Sequence, residues 1–563
     1  PPNVLLIMTD DQGYGDIHSH GNEILHTPVM DQIADDGARF ERFYVSMVCA
    51  PTRASLMTGR YYLRTNVRGV VPGYLTTMRL NEFTMAEAFQ QAGYRTALIG
   101  KWNLGNHYPY LPNRQGFEEF FGIRGGATHV YFDPELEHNH RRVKTQGFIT
   151  DVLTDRALDF IEEHQQHPFF LYFPTNAPHG PFKAPDSYFN KYKKHALSNK
   201  DAAFYGMIEN IDDNIGRLLA KLDELNLSKD TIVLFLTDNG SISGTYNADM
   251  KGIKGGVDEG SVRVPLFMRW PGHIQPGTVI HDLTAHIDIL PTLMELCGIQ
   301  PDYPYPIDGR SLVPLLRGQT SWPDRMLFHV RLWESADEPL HIRFGAVRTQ
   351  QWRYCIYPDH EELYDMIHDY AQTHNVASQH PELLYSMHQS FQSWFKDVTK
   401  NGLERPPLTV GDAFEPIVTL NAPNAYLCGH LTVKGKVPWD IAWIRNWTRV
   451  EDYAWWDINV VESGTYNVKL HYSCPKRGEE TKFRVFGNAG ELITALQSKA
   501  NVPVETDEHR RVPLRTTPVK FQTVQDIGIL TLEKGRTRLT LQPVHLPEHG
   551  HIKIHHIQLQ KME

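Results

Sequence analysis

Cysteine is scarce in this sequence: there are five in 563 residues (Cys49, Cys297, Cys355, Cys428 and Cys474), and none form a Cys-x-x-Cys pair. That excludes a disulfide scaffold, and zinc or thioredoxin-type readings fail on spacing. No uninterrupted apolar run is long enough to span a bilayer. Cations are not in excess: 56 Lys and Arg face 66 Asp and Glu, a formal net charge of −10. Nucleic acid is therefore not expected as a general partner. An anionic substrate would need a local basic pocket set against the overall field. Internal repeats and low-complexity segments are missing as well. The opening Pro1-Pro2-Asn3-Val4-Leu5-Leu6-Ile7-Met8 lacks a charged n-region. A mature secreted chain reads the same way, so location stays open on the residues alone.

What is present is a hydrophobic fraction of 41%, ample for more than one core in a chain too long for one ordinary domain. Apolar runs at 4–8, 96–100, 168–173, 231–236 and 264–270 read as buried strands. They alternate with helical periodicity at 30–37, 85–93, 151–164, 202–225 and 288–296. The pattern predicts an α/β domain over 1–324 with a mixed, largely parallel central sheet flanked by helices. From 325 to 410 short strands at 344–349, 352–356 and 362–365 and a helix over 380–398 suggest a small α+β subdomain followed by a linker. Over 411–563 the helical periodicity is gone, and alternating segments predict a β-sandwich, possibly carbohydrate-binding-like. Its tryptophans (Trp439, Trp443, Trp447, Trp455, Trp456) have faces that stack on sugars, although core burial is the commoner fate. Its histidines (His545, His549, His551, His555, His556) are expected on a solvated surface, because strand alternation would split them between faces.

The chemistry gathers at predicted strand ends, where ligands of such sheets bind. Asp10 and Asp11 follow the first strand, Lys101 the second, His179 the third, and Asp238 with Asn239 the fourth. Three carboxylates and an amide make a hard oxygen set that favours calcium or magnesium and leans to calcium. Arg53, Lys101 and Lys254 would clamp a tetrahedral anion. His179, bracketed by prolines, would be a general acid for a leaving alcohol. Cys49 sits in Ser46-Met47-Val48-Cys49-Ala50-Pro51-Thr52-Arg53, a turn entering a helix whose N-terminus favours negative charge. Arg64, Arg68, His107, Arg114, Arg124 and His129 fall in loops after these motifs and are candidates for a basic, sugar-facing rim.

The motifs Thr9-Asp10-Asp11-Gln12, Cys49-Ala50-Pro51-Thr52-Arg53, Gly100-Lys101-Trp102, Ala177-Pro178-His179 and Thr237-Asp238-Asn239-Gly240 resemble those of the type I sulfatases, in family order. Gly252 to Gly256, Asp308-Gly309-Arg310-Ser311-Leu312 and Glu362-Leu363-Tyr364-Asp365 match later landmarks, so the likeness covers about residues 1 to 400. It implies an alkaline-phosphatase-like fold and a maturation enzyme that oxidises Cys49 to formylglycine. It implies Ca2+ held by Asp10, Asp11, Asp238 and Asn239 with position 49 beside it, and catalytic roles for Arg53, Lys101, His179, Lys254 and Asp238. It also implies a sulfated oligo- or polysaccharide substrate and a periplasmic or secreted protein whose leader lies outside this chain.

One departure stands out. The family reads Gly-Lys-Trp-His, and this chain has Asn103 at the histidine. Asparagine cannot take a proton near neutral pH. Either a neighbour such as His107 substitutes, or turnover is slow, or the residue was replaced to trap a complex. Two rival readings follow: a phosphate mono- or diester hydrolase of the same superfamily, which Cys49-x-Pro51-x-Arg53 disfavours, and a catalytically silent carbohydrate-binding protein, supported by Asn103 alone.

Overall fold

The computed structural model describes all residues except 71–72, 320, 334–339, 435–441, 475–477, 479, 498–510, 512–522, 548–550 and 563. Trp439 and His549 thus lie outside the described residues. The strand Asn3–Thr9 is buried along its whole length. Period-two alternation divides it: Val4, Leu6 and Met8 enter one core, Leu5 and Ile7 another on the opposite face. Being covered on both sides is why such strands read as continuous apolar runs. It pairs in parallel with Phe169–Pro174 and Thr231–Thr237. Arg95–Lys101 and Glu119–Ile123 extend the parallel centre. Leu266–Arg269 adds antiparallel on one side, followed by Ala38–Phe40 and Thr278–Ile280, and the hairpin Glu135–His138 with Arg141–Lys144 closes the other. The result is a ten-stranded mixed sheet with a parallel middle.

Pro28–Asp35, Ile149–Glu163 and Asn199–Glu224 cover one face through Met30, Leu153, Phe160 and Ile208. Cys49–Thr58, Met85–Gln91 and Ile289–Leu296 cover the other. On that second face sits a four-stranded antiparallel sheet: Leu327–Trp333, His341–Arg348, Trp352–Ile356 and Glu361–Asp365. The helix Pro381–Val398 closes it with Met387, Phe391, Trp394 and Val398, and their cluster is continuous with the main core. No described helix is long and apolar enough to cross a membrane.

The chain enters a two-sheet sandwich at Leu408–Val410, which pairs with Tyr453–Val460. Along Tyr453–Val460 burial alternates strictly, so Trp456 is core while Trp455 faces outward. Trp447 is also buried. Trp455 stacks on Tyr426 with ring centroids 4.0 Å apart, and Arg538 lies 4.0 Å from its ring centre. The solvated-histidine expectation needs correcting. His545 and His551 are exposed, but His555 is buried. The register slips there, pairing Tyr472 with Ile554 and His471 with His556, so His555 is the extra residue of a bulge and turns inward. Its Nε2 lies 3.2 Å from Ser473 Oγ, and burial lowers its pKa to about 4.

The small subdomain is tied to the main one by a buried charge cluster. Glu259 Oε2 accepts from Arg353 Nη2 at 2.8 Å and Nε at 3.0 Å, while Tyr44 donates to Oε1 at 2.6 Å. Arg348 Nε stands 3.5 Å away. Burial would raise the Glu259 pKa, but Arg348 and Arg353 outweigh it and hold the group at about 2. A carboxylate depressed in this way adds stability above its unfolded value and loses it as the pH falls toward 2. Glu259→Gln, which strands two buried guanidiniums, should cost about 3–5 kcal/mol at pH 7. Chemical denaturation should show this, with a flatter stability profile than the parent between about pH 4.5 and 2.

Candidate active site

Every functional loop leaves the parallel sheet at the carboxyl ends of its strands. Asp10 and Asp11 follow Asn3–Thr9, Lys101 ends Arg95–Lys101, His179 lies in the loop beyond Phe169–Pro174, and Asp238 and Asn239 follow Thr231–Thr237. Asp11 adopts φ +73°, a left-handed turn that aspartate tolerates, so two adjacent acids serve one site. Its N–H donates to Asp238 Oδ1 at 3.1 Å, locking the first and fourth loops together. Gly13 makes this approach possible, since a Cβ there would sit 2.5 Å from the Ser241 nitrogen.

Arg53, fully buried on the helix Cys49–Thr58, is the hub. Its Nη2 and Nε donate to Asp238 Oδ2 at 2.8 and 3.3 Å, and its Nη1 donates to the Lys101 carbonyl at 3.1 Å. Asp10 Oδ2 lies 3.7 Å from Nη2 and also receives Lys101 Nζ. Asp11 Oδ1 receives Lys254 Nζ and, at 2.9 Å, Asn239 Nδ2. His179 Nε2 lies 3.7 Å from Asp11 Oδ2. Burial would raise the Asp11 pKa, but Lys254 and His179 reverse it and the carboxyl sits below its usual range. Asp238 goes the other way, raised by burial and by Asp10 against the pull of Arg53.

Cys49 opens its helix, where backbone N–H groups lack intrahelical partners. One ligand atom each from Cys49, Asp10 and Asp238 lie within 4.8 Å of one another, as do those of Asp10, Asp11 and His179. Burial raises the Cys49 thiol pKa despite Lys101 and Lys254, so the side chain is not a poised thiolate. Asn103 donates from Nδ2 to Cys49 Sγ at 3.4 Å. Asp10 Oδ1, Asp11 Oδ2 and Asn239 Oδ1 are buried with no hydrogen-bond partner. Buried oxygens normally have partners, and three hard, largely anionic ones gathered at one place fit a divalent cation.

The sulfatase family model matches residues 2–299, and that of the C-terminal part of N-sulphoglucosamine sulphohydrolase matches 254–397. The chain belongs to the sulfatase family. As a sulfatase it is a sulfuric ester hydrolase. It is 32% identical to human arylsulfatase A over 432 residues, covering 69% of this chain and 81% of that one. It is also 32% identical to mouse N-acetylgalactosamine-6-sulfatase over 396 residues, 62% and 72% of the two chains. Among solved structures it is similar to Ps i-CgsB in complex with k-i-k-neocarrahexaose (27% identity, TM-score 0.66, covering 72% of this chain and 95% of that one). The phosphonate monoester hydrolase of Agrobacterium radiobacter shares the fold at 21% identity and a TM-score of 0.56, covering 71% and 96%.

Around this sulfatase centre the six rim candidates are placed very differently. Arg64 is held by Asp308 at 2.9 Å and Asp397 at 2.5 Å. Arg124 lies between Glu137 and Glu415, both at 2.5 Å. Arg68 is buried and donates to the Glu404 carbonyl at 3.1 Å. Arg114 is exposed, its guanidinium 5.7 Å from the Tyr108 ring centre. The His129 carbonyl accepts from Lys183 Nζ at 2.9 Å. His107, the neighbour considered for the missing histidine at 103, lines a narrow cleft with Arg405, Pro406, Leu408, Asn424, Tyr426 and Asp457, and burial lowers its pKa to about 4. Sequence reasoning missed Asp16, which accepts from Gly13 N–H at 2.9 Å and braces the first loop, and the arginines of the small subdomain. Restoring histidine at 103 (Asn103→His) puts a proton acceptor beside position 49. Turnover of an aryl sulfate should rise about tenfold or more; an unchanged kcat would show that this position is not limiting.

Proposed function

We propose that this sulfatase removes sulfate from a sulfated oligo- or polysaccharide, using formylglycine derived from Cys49 and Ca2+ held by Asp10, Asp11, Asp238 and Asn239. The observation that carries this reading is the convergence of Cys49 with Asp10 and Asp238, in acidic loops that also leave buried oxygens of Asp10, Asp11 and Asn239 without hydrogen-bond partners. Calcium, when bound, supplies positive charge to an oxygen of the sulfate group. Hydrated formylglycine supplies two hydroxyls, one to attack sulfur and one to release the sulfate afterwards.

The chain's own residues do the rest. Arg53 holds Asp238 beside position 49, and that carboxylate takes the proton of the attacking hydroxyl. Lys101, paired with Asp10, adds charge where the sulfate oxygens sit. His179 Nδ1 donates its hydrogen to the Gly180 carbonyl at 2.7 Å, which orients the ring with Nε2 facing the site. In the doubly protonated ring Nε2 also carries a hydrogen, and that is the proton handed to the departing sugar alcohol, leaving a neutral imidazole with its hydrogen on Nδ1; Lys254 stabilises the same oxygen. The names of the relatives favour galactans or glycosaminoglycans as the substrate class. Such polymers do not cross membranes, which favours a periplasmic or secreted site of action.

The deciding measurement is sulfate release from defined sulfated oligosaccharides, using protein whose formylglycine is verified by peptide mass. Release from at least one carbohydrate, abolished by Cys49→Ala, is expected; activity on phosphate esters alone would sink the reading. Calcium has its own readout. Added Ca2+ should raise the melting temperature of chelator-treated protein, and Asp11→Asn should blunt that rise severalfold through loss of a charged ligand.

A further inference from the structure

Arg64 and Arg124 have their charge neutralised by carboxylates of the protein itself. Two other arginines, Arg331 and Arg343, have no carboxylate partner among the described residues. Arg331 donates from Nη1 to the Gly255 carbonyl at 2.5 Å, and a Cβ at Gly255 would lie 2.4 Å from that nitrogen. Gly255 directly follows Lys254, and its N–H donates to the Met47 carbonyl at 2.9 Å. The Arg331 guanidinium is thus fastened to the loop carrying Lys254, and that loop in turn to the segment leading into Cys49.

Arg343 joins it through a bulge. Opposite Arg331 stands Phe344 and opposite Leu332 stands Ile342, which leaves Arg343 as the unpaired extra residue. Bulges re-aim side chains, often next to active sites. The Arg343 guanidinium lies 4.6 Å from the Trp333 ring centre and 5.3 Å from that of Phe344, so aromatic faces hold it. Trp333 itself is 38% exposed. Among the described residues neither arginine has a carboxylate partner, and burial, then the charge of Arg343, lowers the Arg331 pKa. Two like charges held together in a protein of net charge −10 are unfavourable unless an anion completes them.

Resting on the carbohydrate reading above, we infer that Arg331 and Arg343 form a second anion subsite beside the nucleophile. It takes a sulfate ester or uronate carboxylate on the sugar adjoining the one that is desulfated. Guanidinium forks bind both groups through paired N–H donors. The exposed face of Trp333 offers the ring of that adjoining sugar a stacking surface. The substrate class is therefore an oligosaccharide bearing at least two anionic groups on neighbouring residues.

The test compares three disaccharides with the full formylglycine-bearing chain: one singly sulfated, one with a second sulfate on the adjoining sugar, and one with a uronate there. The quantity read is the ratio of kcat/KM for each doubly anionic substrate to that for the singly sulfated one, which cancels any general loss of active enzyme. The parent should favour at least one doubly anionic substrate. Arg331→Gln and Arg343→Gln should each lower that ratio about tenfold, mostly through KM, and Arg343→Lys should restore part of it. Whether the second sulfate or the uronate responds identifies the anion. A parental ratio near one, or ratios unmoved in both variants, overturns the subsite. Hydrolysis of an aryl sulfate with no carbohydrate cleaved overturns the reading beneath it instead.

Discussion

The structure depends on burying Asp10, Asp11 and Asp238 side by side without letting them repel the fold apart. Carboxylates withdrawn from water keep their charge only where cations and hydrogen bonds replace the lost solvation. Arg53 does most of this. It spans Asp238, Asp10 and the Lys101 carbonyl at once, which a lysine, as a point charge, could not. Its own pKa is raised, since Asp238 and Asp10 outweigh the effect of its burial. The parallel sheet is what allows the arrangement. Antiparallel neighbours would send alternate loops to opposite edges, whereas Asn3–Thr9, Phe169–Pro174, Arg95–Lys101 and Thr231–Thr237 all deliver their loops to one. The charges then cross-link those loops, so the site and the upper edge of the sheet stabilise each other.

That logic explains which parts were legible in the sequence. A strand covered on both faces must be continuously apolar, and its exit must be polar, so each strand and its functional residue appeared together: Val4 to Met8 with Asp10, 231–236 with Asp238. Hidden features depend on register. His555 and Arg343 both occupy bulges, and a one-residue slip reverses the face a side chain meets. No alternation pattern announces the slip in advance. Tyr453–Val460 is obscured differently, because two adjacent tryptophans mask the apolar–polar alternation although only Trp456 points inward. Two of the partners, Asp397 for Arg64 and Glu415 for Arg124, are hidden by distance along the chain, arriving from more than two hundred residues away.

Those distant acids give the C-terminal parts a share in the site. Glu415 accepts from Arg124 and, at 2.6 Å, from the Tyr108 N–H, so one sandwich carboxylate pins the loop that follows Asn103. Phe414 stacks on Tyr108 with centroids 5.7 Å apart. The Asn103 N–H in turn donates to the Arg124 carbonyl at 3.0 Å. A continuous set of contacts therefore runs from the sandwich to the residue touching Cys49. Asp397 and Glu415 join Asp308 and Glu137 in neutralising the outer cations, while the inner ones are left to the catalytic carboxylates. The centre itself is balanced, with Arg53, Lys101 and Lys254 set against Asp238, Asp10 and Asp11.

Position 103 shows how backbone and chemistry constrain a site separately. Its φ of +60° is left-handed, and Gly126 packs so closely that a Cβ there would lie 2.8 Å from Asn103 Oδ1. Apart from glycine, only asparagine, aspartate and histidine adopt this conformation with any frequency. Glycine would abandon the contact with Cys49 Sγ, and aspartate would set a further negative charge against Asp10 and Asp238. Asparagine and histidine are what remain: both satisfy the turn and both reach position 49. They differ in one property, the capacity to hold a proton at neutral pH. The backbone therefore admits this substitution at small structural cost, and its whole consequence falls on proton transfer at the nucleophile.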